Sequence, residues 1–230
     1  MPVTQIMSVV GRGVIAPPGP ITPQGSFLYN SASQNWGSTN AVTTTYGAYT
    51  FPDTTTGSVH TLTGTEYLIS NAFGNSATLN INLWFYPALN NVIVLDEVGQ
   101  AAENTNWHYS MLEIDSSNKL KGRFWGMSAL QAITSTGSVN LNAWNHVYLY
   151  FDNSTTTIGM SLNNETAVTQ NIGSGVRHVS DTGFTYFGIG VVDTTYMVTS
   201  ARYQGKFNDL SIDTSITSST YTATKAKYGF

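Results

Sequence analysis

Two acidic residues two positions apart, Glu113 and Asp115, open the segment Glu113-Ile114-Asp115-Ser116-Ser117-Asn118. On an extended chain such residues lie on one face, so the two carboxyls would project together. Paired carboxyls carry out retaining glycoside hydrolysis when they sit about 5 Å apart and one of them has a raised pKa. Here the next residues, Ser116-Ser117-Asn118-Lys119, have the composition of a hairpin turn, and a solvated hairpin explains the acids without chemistry. The four histidines, His60, His108, His146 and His178, show no metal-ligand spacing. His146 falls inside a strand pattern, where a hydrogen-bonded structural histidine is the simpler reading. The chain has no Gly-x-Ser-x-Gly elbow and no phosphate-cradling loop.

A second kind of chemistry comes from aromatic and amide side chains at period two. From Trp144 onward, Val147, Leu149 and Phe151 alternate with Trp144, His146, Tyr148 and Tyr150, and Asp152-Asn153-Ser154 supplies turn formers. Thr78 to Tyr86 alternates as cleanly, with Leu79, Ile81, Leu83 and Phe85 opposite Asn80, Asn82, Trp84 and Tyr86 before Pro87 closes the strand. If the two strands share a sheet, Asn80, Asn82, Trp84, Tyr86, His146, Tyr148 and Tyr150 form one surface. Rings stack on the C–H face of a sugar and amides bond its hydroxyls, so this is a candidate glycan-binding face. The other reading makes it a second core, covered by loops or by the N-terminal segment. Trp144 itself is expected to be a packing residue.

The elements that would position these groups are short strands. Ser26–Tyr29, Val42–Tyr46, Ala48–Phe51, Val92–Leu95, Trp107–Ile114, Lys119–Trp125, Thr157–Leu162, Thr166–Gln170, Phe184–Val191 and Tyr203–Ile212 have strand character. Residues 58–70 suggest two strands about the turn Thr63-Gly64-Thr65. Residues 96–106 suggest a long polar loop. Phe207 and Leu210 are three apart rather than two, which predicts a bulge at Asn208-Asp209. Residues 1–25 read as an arm: an apolar half precedes Ala16-Pro17-Pro18-Gly19-Pro20-Ile21-Thr22-Pro23-Gln24-Gly25, which is extended and unsuited to a sheet interior, so the segment is either a disordered tail or a tether that docks on a neighbouring subunit. Residues 26–230 are the body.

Composition agrees with an all-β domain. Charged residues make up 10% of the 230, and hydrophobic residues 41%. Thr, Ser and Asn together are about a third of the chain, which with 21 glycines favours short strands and tight turns over helices. A net charge of −4 and the lack of a basic run argue against a nucleic-acid partner. The absence of cysteine excludes disulfides and thiolate metal sites. No stretch has the length of a transmembrane helix and no basic n-region opens the chain, so a soluble protein without membrane insertion is expected.

Four blocks, in order along residues 57–228, resemble the laminin-G-like, concanavalin A-like jelly roll. They are Gly57-Ser58-Val59 through Tyr67-Leu68, similar to the family's entry hairpin; Leu79 to Pro87, similar to its most regular strand; Trp144-Asn145-His146-Val147, similar to its Trp-x-His-Val strand; and Gly205 to Ile212, similar to its closing strand. The resemblance implies a two-sheet antiparallel jelly-roll sandwich. Glycosidases on that scaffold carry Glu-x-Asp-x-x-Glu, whose third acid is replaced here by Asn118, so no enzyme is expected. Sandwiches of this family also bind calcium through loop carboxylates and carbonyls. Asp96, Glu97 and Asp193 fall in expected loops, though no convergent ligand set follows.

The entry hairpin and the Trp84 strand are most similar to laminin-G-like domains of bacteriophage structural proteins. That implies a virion decoration, fibre or tail adhesin protein that is made in the host cytoplasm and binds host surface glycans. It would join other virion proteins through the arm as a homo-oligomer, a trimer by preference. The alternatives are a secreted or cell-surface carbohydrate-binding module and, last, a glycoside hydrolase.

Overall fold

The computed structural model describes residues 27–30, 35–36, 42–46, 60–64, 67–70, 73–74, 77–99, 108–126, 130–163, 165–173, 177, 184–192 and 201–213. The arm at residues 1–25, the strand expected at Ala48–Phe51, and His178 and Asp193 lie outside the described residues. Sixteen strands are described and no helix among them. The first sheet holds β1 (Phe27–Asn30), β2 (Asn35–Trp36), β4 (His60–Thr63), β7 (Leu79–Pro87), β12 (Asn145–Asp152), β13 (Thr157–Leu162), β14 (Val168–Asn171) and β16 (Gln204–Asp213). The second holds β3 (Val42–Tyr46), β5 (Tyr67–Ser70), β6 (Phe73–Gly74), β8 (Val92–Val98), β9 (His108–Ile114), β10 (Leu120–Trp125), β11 (Leu130–Thr134) and β15 (Phe184–Ile189).

The first sheet runs β14-β13-β12-β7-β16-β1-β2 with β4 also on β16; the second runs β11-β10-β9-β8-β15-β5-β3 with β6 on β15. All strand pairs are antiparallel. This is the all-β, two-sheet jelly-roll sandwich expected from the sequence.

The core lies between the sheets because alternate residues of each strand point inward. Leu79, Ile81, Leu83 and Phe85 of β7 and Val147, Leu149 and Phe151 of β12 meet Leu112, Ile114, Leu120 and Phe124 of the second sheet. Gly122 on β10 marks the closest approach, since a Cβ there would sit 2.6 Å from Leu149 Cδ1. A smaller cluster of Tyr67, Ile69, Ile93, Val98 and Val191 fills a second site, with Arg202 over the Tyr67 ring at 5.0 Å.

The turns account for much of the asparagine. Asn91, Asn118, Asn142 and Asn163 all take positive φ, the left-handed conformation that this side chain tolerates. Asn118 closes the β9–β10 hairpin as expected, and the bulge between Asn208 and Ser211 is present in the β16–β7 pair.

Two expectations are corrected, and one strand was not expected. Residues 60–70 are not a hairpin: β4 pairs β16 in the first sheet and β5 pairs β15 and β3 in the second. Gly64, at φ +94°, begins the crossing between sheets, a conformation unfavourable for other residues. Strand β8 continues to Val98, so Asp96 and Glu97 are strand residues and not loop residues. Strand β11 went unforeseen because only Ile133 of its five residues is buried, which leaves little alternation to read.

Candidate glycan-binding face

Strands β7 and β12 are neighbours, with His146 opposite Trp84, Tyr148 opposite Asn82 and Tyr150 opposite Asn80. The alternation therefore places Asn80, Asn82, Trp84, Tyr86, His146, Tyr148 and Tyr150 together on the outer face of the first sheet. Trp84 and His146 rings lie 5.0 Å apart, and Tyr148 and Tyr150 rings 5.6 Å apart. Tyr150 lies across Gly159 of β13, where a Cβ would come within 2.3 Å of the ring. Six of the seven are between 1% and 8% exposed. The second-core reading thus describes the middle of this face, and a sugar has no open ring to stack on there. Tyr86 is the member reached from outside.

Burial also decides the state of His146. Desolvation holds its pKa down at about 3, so the ring is neutral at physiological pH. The strand entry before it is fixed by asparagine side chains. Asn145 Nδ2 donates to the carbonyls of Asn140 and Ala143, its Oδ1 accepts from the Asn140 N–H and from Asn163 Nδ2, and Asn163 Oδ1 accepts from the His146 N–H.

At its Tyr86 end the face opens into a groove of about 260 Å³ lined by Thr61, Leu62, Thr63, Tyr86, Ala88, Gln204, Gly205 and Lys206. Three strands build it. Lys206 of β16 lies opposite both Tyr86 of β7 and Thr61 of β4, and Gln204 lies opposite Thr63. The Lys206 ammonium sits 5.2 Å from the centroid of the Tyr86 ring, a cation–π arrangement. Trp144 meets the same ring edge-on at 5.7 Å. The tyrosine was legible as an outward residue of β7, but the groove was not. Its other walls come from strands more than a hundred residues apart in sequence, whose pairing no periodicity reveals.

Trp144 precedes β12 and is half-buried, so it packs as expected but is less buried than a core tryptophan. Trp144→Ala should cost about 1–2 kcal/mol in lost apolar contact and ring pairing, not the roughly 3–5 of a core tryptophan. A thermal melt should fall by a few degrees. A loss above about 4 kcal/mol would restore the ring to the core.

Both acids of the Glu113–Asp115 pair are held by neighbouring cations. Glu113 is buried and takes a salt bridge from Arg123, with Lys121 Nζ 3.9 Å away and Ser110 Oγ at 3.3 Å. Asp115 Oδ1 accepts the N–H groups of Ser117 and Lys119 at 2.8 and 2.9 Å, and Lys121 lies 3.5 Å from Oδ2. Partial burial alone would raise the Asp115 pKa, but those N–H groups and the ammonium outweigh it and hold the carboxyl below its usual range. A general acid needs the opposite shift. Asn118 accepts a hydrogen bond from Asn90 Nδ2 at 2.8 Å and supplies no acid.

Glu97, expected in a loop, is a buried strand residue. Its carboxylate is buried and accepts from Arg177, from the Tyr109 hydroxyl and from Thr185 Oγ1 at 2.7 Å. Burial drives the Tyr109 pKa well up, and the neighbouring carboxylate raises it further. For Arg177 burial works the other way, but Glu97 and Tyr109 outweigh it and the pKa rises. Such a carboxylate is fully engaged as a structural anion. Among the described residues no three His, Cys, Asp or Glu side chains converge as a metal site, and no helix is long and apolar enough to cross a membrane.

No family model and no curated protein matches the sequence. Similarity is found in solved structures. The CBM40 domain of the Ruminococcus gnavus IT-sialidase bound to α2,3 sialyllactose is 13% identical with a TM-score of 0.53, over 70% of this chain and 91% of that one. The binding domain of botulinum neurotoxin DC in complex with SialylT is 13% identical with a TM-score of 0.52, over 89% of this chain and 52% of that one. A leech intramolecular trans-sialidase, complexed with 2,7-anhydro-Neu5Ac, is 14% identical with a TM-score of 0.51, over 70% of this chain and 26% of that one. The fold they share with this chain is the concanavalin A-like jelly roll.

Proposed function

We propose that this chain is a non-enzymatic, carbohydrate-binding jelly roll whose binding edge is the groove at Tyr86. The observation that carries this is the groove itself: a partly exposed tyrosine ring flanked by Thr61, Thr63, Gln204 and Lys206, in an otherwise apolar lining. A ring wall with a few placed polar groups is what a sugar requires. The jelly-roll structures with sialylated ligands support the reading, since the same scaffold carries glycans there. The test is binding to a panel of immobilised glycans by the wild type and by Tyr86→Ala. Binding that the variant loses supports the proposal; no binding, or binding that the variant keeps, counts against it.

The arginine and lysine contacts of Glu113 and Asp115, together with Asn118, support the non-enzymatic part. Incubation with β-glucans or other polysaccharides is expected to release no reducing ends. Turnover abolished by Glu113→Gln would overturn that part.

The resemblance of residues 57–87 to laminin-G-like domains of bacteriophage structural proteins extends the proposal to a virion adhesin or decoration protein. In that role residues 1–25 join neighbouring subunits. Deletion of residues 1–25 should abolish oligomerisation and particle attachment while leaving the β-type circular dichroism spectrum unchanged.

A further inference from the structure

We infer that the groove selects a sugar bearing a carboxylate, with Lys206 as its charge partner and Tyr203 as the residue that fixes the backbone beneath the two. The inference rests on the carbohydrate-binding reading and names the class of sugar. Of the eight lining residues one is charged, and it is a cation. The chain as a whole carries 13 acids against 9 bases, so the groove lining runs against the net charge of the chain. Electrostatic complementarity of this kind chooses among ligands of similar shape. Lys206 is also held over the Tyr86 ring, which limits the freedom its side chain would lose on pairing with an anion. Thr61, Thr63 and Gln204 border the groove, whose walls are otherwise apolar. At about 260 Å³ the groove is smaller than the roughly 300–1,000 Å³ of sites for drug-sized ligands, which suits one sugar ring.

Tyr86 and Lys206 are directly opposed on β7 and β16. The Tyr86 N–H donates to the Tyr203 hydroxyl at 3.1 Å, and that hydroxyl donates to the Lys206 carbonyl at 2.6 Å. A regular antiparallel pair would join such groups directly, at about 2.9 Å. Here the Tyr203 hydroxyl bridges the Tyr86 N–H and the Lys206 carbonyl. Tyr203 is fully buried, and burial pushes its pKa far up, so the hydroxyl stays a donor. At the neighbouring Gly205 the two backbones come close: its φ is +144° and a Cβ, if present, would stand 2.0 Å from the Tyr86 carbonyl oxygen. Tyr203 thus ties together the backbone beneath Tyr86 and Lys206, two of the residues that line the groove.

Isothermal titration tests this with 3′-sialyllactose and digalacturonic acid, each against its methyl ester, and with lactose. At least one acid should bind about tenfold or more tighter than its ester, as a charge-assisted contact is stronger than a neutral one. Which acid it is separates a sialic from a uronic source. Lys206→Met should reduce the acid to the affinity of the ester, Lys206→Arg should keep the preference, and raising salt should weaken it. Tyr203→Phe should weaken acid and ester alike, because it alters the groove and not the charge; unchanged affinities would remove Tyr203 from the account. Acid and ester binding equally, both lost in Tyr86→Ala, would overturn the carboxylate inference and leave carbohydrate binding standing. An acid preference that persists in Lys206→Met would also overturn it. Binding of none of these sugars, nor of any glycan in the wider panel, would overturn both. Circular dichroism and melting of each variant separate loss of binding from loss of fold.

Discussion

Replacing Arg177 with methionine is expected to destabilise the protein by about 3–5 kcal/mol, a large share of the roughly 5–15 available to a domain. Arg177 and Glu97 are 2% and 1% exposed, and Tyr109 and Thr185 complete the shell around the carboxylate. Removing the guanidinium leaves an anion in the interior with only hydroxyl donors. The pair itself is worth far less than its breakage, since removing two charges from water offsets most of their attraction. The double variant Glu97→Leu with Arg177→Met should therefore recover much of the loss. Urea denaturation of both single variants and the double one measures this as a cycle. Additive losses, or a loss under 1 kcal/mol in Arg177→Met, would show that the two groups are solvated and uncoupled.

A comparable effect is expected from acid through His146. In the folded protein its pKa is about 3, against the ordinary 6.5 of an unfolded chain. Between those values the unfolded state takes up a proton that the folded state refuses, so stability falls as pH drops below about 6.5. The slope is about 1.4 kcal/mol per pH unit, giving a loss of about 3 kcal/mol by pH 4. Asp115, whose pKa is lowered, contributes in the same sense only as pH approaches the ordinary carboxylate range. Above pH 6.5 this contribution is fully present. His146→Gln should flatten the stability curve between pH 6.5 and 4. A wild-type curve already flat there would mean that the ring is solvated and the aromatic face open.

The parts of this molecule legible from sequence are those that depend on period alone. Alternation along residues 79–87 and 145–152 fixes which side chains face inward, and adjacent strands then bring Trp84 onto His146 and Asn82 onto Tyr148. Local turn chemistry was equally readable, as at Asn118 and at the Asn208 bulge. Period does not report what lies above a face, so the aromatic residues read equally well as a platform or as a covered layer. Nor does it report partners distant in sequence. Glu97 and Arg177 are 80 residues apart, and the groove joins Thr61, Tyr86 and Lys206. Gly64 looked like a hairpin turn because a glycine between two strands suits a sheet crossing as well as a reversal. Tyr203 had no signal as a bridge, since its role lies in a hydroxyl that joins the Tyr86 N–H of a distant strand to the Lys206 carbonyl.

The central claim is that a glycan is held at the junction of β4, β7 and β16. Amide chemical-shift mapping during titration with the glycan that binds best tests it most directly. The account predicts perturbations concentrated at residues 61–63, 86–88 and 203–206. Shifts confined to the Glu113–Arg123 side of the second sheet, or spread evenly without saturation, would contradict it.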